Sequence, residues 1–109
     1  MIIKVMQKDI NAATRHGYDE ASCPIARAMK RHGLQGPCVD PSEGDLSYDP
    51  GGDEEAGWMT RINLYIPRSV KRFVQAFDNK YGKWLSDSKR RKASRAYIRP
   101  FSFLVRKER

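Results

Sequence analysis

The chain of 109 residues predicts an α+β fold, a small mixed or antiparallel sheet with two main helices packed on one face. Three observations carry this. Ile62, Leu64 and Ile66 alternate with Asn63 and Tyr65, the period of a strand with one buried face. Directly after Pro67, the apolar residues Val70, Phe73, Val74 and Phe77 recur at helical spacing while Arg68, Lys71, Arg72 and Gln75 occupy the other side. Ile3 and Val5 at one end of the chain, and Phe101, Phe103 and Val105 at the other, alternate in the same way and supply further strands.

The elements follow in order. Ile3 to Val5 reads as a strand that can begin at Ile2, and Gln7 to Gly17 as a turn or short helix. Ser22 is the expected N-cap of the first main helix, with Pro24 in the first turn, where a missing N–H costs nothing. Ile25, Ala28, Met29 and His32 share a face of that helix, Lys30, Arg31 and His32 complement its C-terminal dipole, and Gly33 stops it. Residues 36–57 are rich in Gly, Pro, Asp and Glu. They form an acidic surface loop with two short strand candidates, Cys38-Val39 and Leu46 to Tyr48. In the central unit, Pro67 ends the strand because it has no N–H to donate and opens the second helix, which Asp78-Asn79 closes. Tyr81, Trp84 and Leu85 form a small apolar patch, and Pro100 introduces the closing strand. No internal repeat is present.

This length fits a single domain, 1–109, with one modest core. No apolar run is long enough to span a bilayer, and the opening residues alternate Lys with apolar side chains where a signal peptide needs an unbroken apolar segment. The expectation is a soluble, cytoplasmic protein with no membrane partner. In a reducing compartment Cys23 and Cys38 read as two small thiols rather than a disulfide.

The net charge of +8 conceals a split: residues 1–57 carry 6 Lys and Arg against 10 Asp and Glu, net −4, and residues 58–109 carry 15 against 3, net +12. A domain with one strongly positive half attracts polyanions. The basic segment at about 80–99 is the strongest functional signal in the chain. Lys89, Arg90, Arg91, Lys92, Arg95 and Arg99 would neutralise phosphates, with Arg68, Lys71 and Arg72 extending the field. Tyr81, Trp84 and Tyr97 lie among them, and aromatic rings give bases a stacking surface. The plain structural alternatives are that the charge runs are solvated surface and that Trp84 and Tyr97 are core.

Enzyme chemistry finds little support. Cys23 with His32, or Cys38 with His16, could be assembled into a thiol nucleophile and base, but no local pattern joins either pair. The cysteines are 15 positions apart and the histidines 16, so neither pair can chelate zinc from adjacent positions. The acidic loop lacks the spacing of a calcium loop, and Gly51-Gly52 is followed by acids that would repel a phosphate. A non-enzymatic protein without metal or cofactor is expected.

Several segments together resemble a family of small, mostly uncharacterised proteins of phages and other mobile elements. These are Ile3 to Ile10 with Gln7-Lys8-Asp9, the helix start Cys23-Pro24-Ile25-Ala26, the strand and helix from Ile66-Pro67 to Phe77-Asp78, and Pro100-Phe101-Ser102-Phe103. In that pattern a short Gly-containing turn links the Phe-Asp helix end to the Pro-Phe-Ser-Phe strand; here the largely basic residues 79–99 intervene. The resemblance implies a counter-defence setting, acting in a host cytoplasm by binding, as anti-CRISPR inhibitors do. The leading expectation is therefore a phage-type binding protein whose basic C-terminal half engages nucleic acid or a nucleic-acid-containing host complex such as a CRISPR effector. Two other readings stay open. One is a homo-oligomeric sponge that sequesters an anionic nucleotide signal in pockets lined by the same cations. The other is a protein-only inhibitor whose acidic loop, Asp45 to Glu55, mimics nucleic-acid phosphates.

Overall fold

A computed structural model describes residues 1–51, 61–81 and 98–108. The predicted α+β class holds. Among the described residues, three helices and five short strands follow as β1 (Ile2–Val5), α1 (Gln7–His16), α2 (Pro24–Arg31), β2 (Cys38–Asp40), β3 (Asp45–Tyr48), β4 (Ile62–Asn63), α3 (Arg68–Tyr81) and β5 (Phe101–Leu104).

The single sheet anticipated from the alternation is divided in two. β1 pairs with β5, and β2, β3 and β4 form a second sheet in that order; every pairing is antiparallel. The division falls in the stretch that alternates most regularly. Leu64 donates its N–H to Leu46 O at 2.8 Å, but Tyr65 N–H reaches Arg106 O at 2.8 Å, and Glu108 N–H returns to Asn63 O at 3.0 Å. The chain from Asn63 to Tyr65 thus hands over from β3 to the C-terminal residues, and one bridge, Leu64 with Lys107, joins the two sheets. Pro67 lies three residues on and cannot donate to a ladder, so β4 has no room to lengthen. The alternation itself is realised as burial: Leu64 is buried, Ile62 and Ile66 are half-buried, and Asn63 and Tyr65 are exposed.

The segment expected as a turn or short helix is a helix over Gln7–His16, its amino end satisfied by its own sequence. Asp9 accepts the Met6 N–H at 2.8 Å, holding an amide that the helix leaves without a partner. The first turn of α2 differs from the expectation: Cys23, not Ser22, is the N-cap, its Sγ accepting Ala26 N–H at 3.4 Å. Ser22 is otherwise engaged, since its hydroxyl donates to Asp19 Oδ1 and accepts the Asp19 N–H, both at 2.9 Å. At the other end, Leu34 N–H bonds Met29 O and Gly33 N–H bonds Lys30 O. This Schellman pattern needs the left-handed residue that Gly33, at φ +89°, supplies.

α3 extends past the expected stop at Asp78-Asn79 to Tyr81. The Asp78 carboxylate receives the Tyr18 hydroxyl, and Tyr81 packs on Phe77 one turn back, ring centroids 4.9 Å apart. The predicted stripe faces inward, Val70 and Phe77 buried and Phe73 and Val74 half-buried. Aromatic contacts then tie α3 to both ends of the fold: Tyr18 meets Phe77 edge-on at 4.8 Å and Phe73 meets Phe101 at 4.8 Å. Ile3, Val5, Ile25, Ala28, Met29, Leu46 and Phe103 complete the core.

The described part of the acidic stretch, residues 36–51, contains both strand candidates, and residues 52–57 lie outside the described residues. Pro41–Glu43 form a 3-10 turn closing the hairpin between β2 and β3, and Gly44, at φ +73°, completes it. Among the described residues no helix is long and apolar enough to cross a membrane.

Candidate functional site

Two surfaces have the chemistry of a binding site. The first is the outer face of α3. Arg68, Lys71 and Arg72 are exposed within the first five helical residues, and the first turn contains no acidic residue. Cations at a helix N-terminus oppose the macrodipole by a few tenths of a kcal/mol each. Among the described residues no carboxylate pairs with any of the three; the ion pair found there is Arg31 with Asp9. Arg99 is exposed just ahead of β5.

Of the three predicted stacking rings, Tyr81 is described. It is 37% exposed, but one side rests on Phe77 and Lys80 Nζ lies 5.6 Å from its centroid, so it is a partly covered ring rather than an open platform. Lys89, Arg90, Arg91, Lys92, Arg95, Trp84 and Tyr97 lie outside the described residues.

The second surface is a cleft between α3 and the β2 hairpin. Two adjoining cavities of about 580 and 320 Å³ share Val39, Asp40, Ser42, Val74 and Asp78. Lys71, Gln75 and Asn79 border the larger, and Tyr18, Asp19, Glu20 and Cys23 the smaller. The Tyr18 hydroxyl donates to Asp78 Oδ1 at 2.9 Å, across 60 positions of sequence. Burial raises the Asp78 carboxyl above the usual aspartate range and the neighbouring Asp40 raises it further, against the opposing effect of the Tyr18 bond. Tyr18 is itself raised, first by burial and then by Asp78. The cleft is therefore an acid-lined groove with an apolar floor of Val39 and Val74. Nothing local in the sequence announces it, because Tyr18, Asp40 and Asp78 come from three separate segments.

The thiols are not poised for chemistry. Cys23 is buried and its thiol is pushed up to about 11 by burial. Cys38 donates to Asp45 Oδ2 at 3.2 Å and is pushed up to about 12 by burial and by that carboxylate. Both cysteines are free, and His32 Nε2 accepts the Lys4 N–H at 3.2 Å instead of serving a thiol. No three His, Cys, Asp or Glu side chains converge as a metal would require among the described residues.

Within the acidic stretch, Asp49 is buried and accepts the Gly51 N–H at 2.9 Å, Asp45 accepts from Cys38, and Asp40 accepts the Ser42 hydroxyl at 2.7 Å. Arg61 spans the hairpin from outside, donating to Ser47 Oγ at 2.9 Å and to Gly36 O. In comparison with family models, curated proteins and solved structures, the chain matches none.

Proposed function

We propose that this protein is a non-enzymatic binding protein whose basic C-terminal half engages nucleic acid, or a host complex that contains it, in a counter-defence role of the phage type. The observation that carries the polyanion part is the cation excess: residues 58–109 hold a net charge of +12, and Arg68, Lys71 and Arg72 stand exposed without a described carboxylate partner where the helix dipole disfavours them. Cations kept at a local cost to helix stability serve best where an anion meets them. The basic run Lys89 to Arg99 continues the same field in sequence, and the counter-defence setting rests on the resemblance of the short motifs.

The test is binding of the purified chain to short single- and double-stranded DNA and RNA across a salt series. Direct phosphate contact gives an affinity that falls log-linearly with salt, with a slope of about 0.7–0.9 per phosphate neutralised. No binding at low salt removes the nucleic-acid reading and leaves a nucleotide or protein partner. For the nucleic-acid-mimic reading of Asp45 to Glu55, the described Asp45 and Asp49 accept internal hydrogen bonds, while Asp53, Glu54 and Glu55 lie outside the described residues.

A further inference from the structure

The cleft adjoins the exposed cations through Lys71 and calls for the opposite ligand charge. Asp19, Glu20, Asp40 and Asp78 border it against one cation, Lys71. An anion is therefore repelled. Asp78 and Asp40 repel each other there, and no cation pairs with either among the described residues. Asp78 is half-buried and receives one described side-chain bond, to Oδ1 from Tyr18. A half-desolvated carboxylate beside a second carboxylate is unfavourable until a positive charge joins them.

Which cation fits follows from the rest of the lining. Described His, Cys, Asp and Glu side chains do not converge in the threes that a metal ion needs. Val39 and Val74 line both cavities beside the carboxylates, and the volume far exceeds that of one ion. We propose that the cleft binds a primary alkylammonium group, its charge between Asp78 and Asp40 and its methylene stem along Val39 and Val74. The Tyr18 hydroxyl holds the Asp78 carboxylate in place, and Ser42, Gln75 and Asn79 supply polar atoms at the rim. Two sources carry this chemistry, a free diamine or polyamine and the lysine side chain of a partner protein.

The experiment is a two-dimensional amide NMR titration of the full chain at constant ionic strength. The probes are 1,5-diaminopentane, a blocked Gly-Lys-Gly tripeptide and, as the uncharged control, 1-pentanol. Saturable shifts confined to residues 39–42 and 74–79 with both amines and absent with pentanol are expected. Asp78→Asn keeps an acceptor for Tyr18 and is expected to weaken amine binding at least about tenfold, with nucleic-acid affinity unchanged. Asp40→Asn, at a half-exposed strand end, gives an independent reading if the first variant is unfolded by circular dichroism. Tighter binding of the tripeptide assigns the site to a protein lysine, and tighter binding of the diamine to a free amine; both support the proposal. Absent or non-saturating shifts, equal shifts with pentanol, or unchanged affinity in a folded variant of either aspartate overturn it.

Discussion

The Asp9 carboxylate lies 2.9 Å from the Arg31 guanidinium and 2.8 Å from the Met6 amide, so one buried side chain starts α1 and anchors the end of α2. Arg31 also donates to Lys4 O, and His32 accepts the Lys4 N–H, so the last residues of this helix region engage both backbone groups of Lys4 on β1. Bonds of this kind blunt a strand edge that would otherwise invite another chain. Asp9→Ala leaves the Met6 amide unsatisfied and takes from the Arg31 guanidinium its carboxylate partner, and is expected to lower stability by about 2 kcal/mol. Urea unfolding followed by circular dichroism measures it, and a loss under about 0.5 kcal/mol contradicts the anchoring role.

Two glycines separate backbone strain from crowding. Gly33 has φ +89° and open space where a Cβ would project, so Gly33→Ala is expected to cost about 1 kcal/mol from conformation alone. Gly36 has φ +57°, and its Cβ would meet the Cβ of buried Asp49 at 3.1 Å. Gly36→Ala should therefore cost more, about 2 kcal/mol. Paired melting curves decide the order.

Asp78 gives a pH dependence of definite sign. Its folded pKa is raised, above all by burial, so the ionised form opposes folding. Its stability contribution is intact below the ordinary aspartate range and is lost as pH rises through the folded value. Asp78→Asn is accordingly expected to melt higher than the wild type at pH 7, with the gap closing as pH falls below about 4. A gap that widens in acid contradicts the assignment.

Both thiols should be slow toward a disulfide reagent. With thiols pushed up to about 11 and about 12, Cys23 and Cys38 hold little thiolate at pH 8. Labelling of the native protein is expected to run more than about a hundredfold slower than that of a free cysteine. Denaturant should release both, which absorbance of the liberated thiol reports.

Charge reversal distinguishes the two halves of the proposed polyanion surface. Arg68→Glu, Lys71→Glu and Arg72→Glu place acids at the start of α3, where they favour the helix. The triple variant should therefore fold at least as stably while its salt slope for oligonucleotide binding falls by about 0.7–0.9 for each contact removed. Reversing Lys89 to Lys92 reports separately on the basic run. An unchanged slope in both variants removes these residues from the interface.

Much of the fold was legible because its signals are local. The stripe of Val70, Phe73, Val74 and Phe77 has one helical solution, the Gly33 stop follows from its freedom at positive φ, and Phe101 to Val105 alternate with one face inward. The N-cap of α2 is not legible in sequence because Ser22 and Cys23 are adjacent and only the folded turn shows the Ser22 hydroxyl committed to Asp19. The helix end is hidden for a related reason: aspartate near a helix terminus suggests a stop, but Asp78 lies within α3 and is held by a tyrosine 60 positions away.

Residue types and spacings alone determined the α+β class, the positions of the main helices and the separation of acidic and basic halves, since periodicity and charge are properties of neighbours along the chain. Tertiary structure decided what depends on distant segments meeting. The alternating central strand became a crossing point between two sheets because the C-terminal residues compete with β3 for its amides. Asp40 and Asp78, unremarkable in sequence, came to line one cleft because packing α3 against the β2 hairpin brings them together and leaves both half-buried.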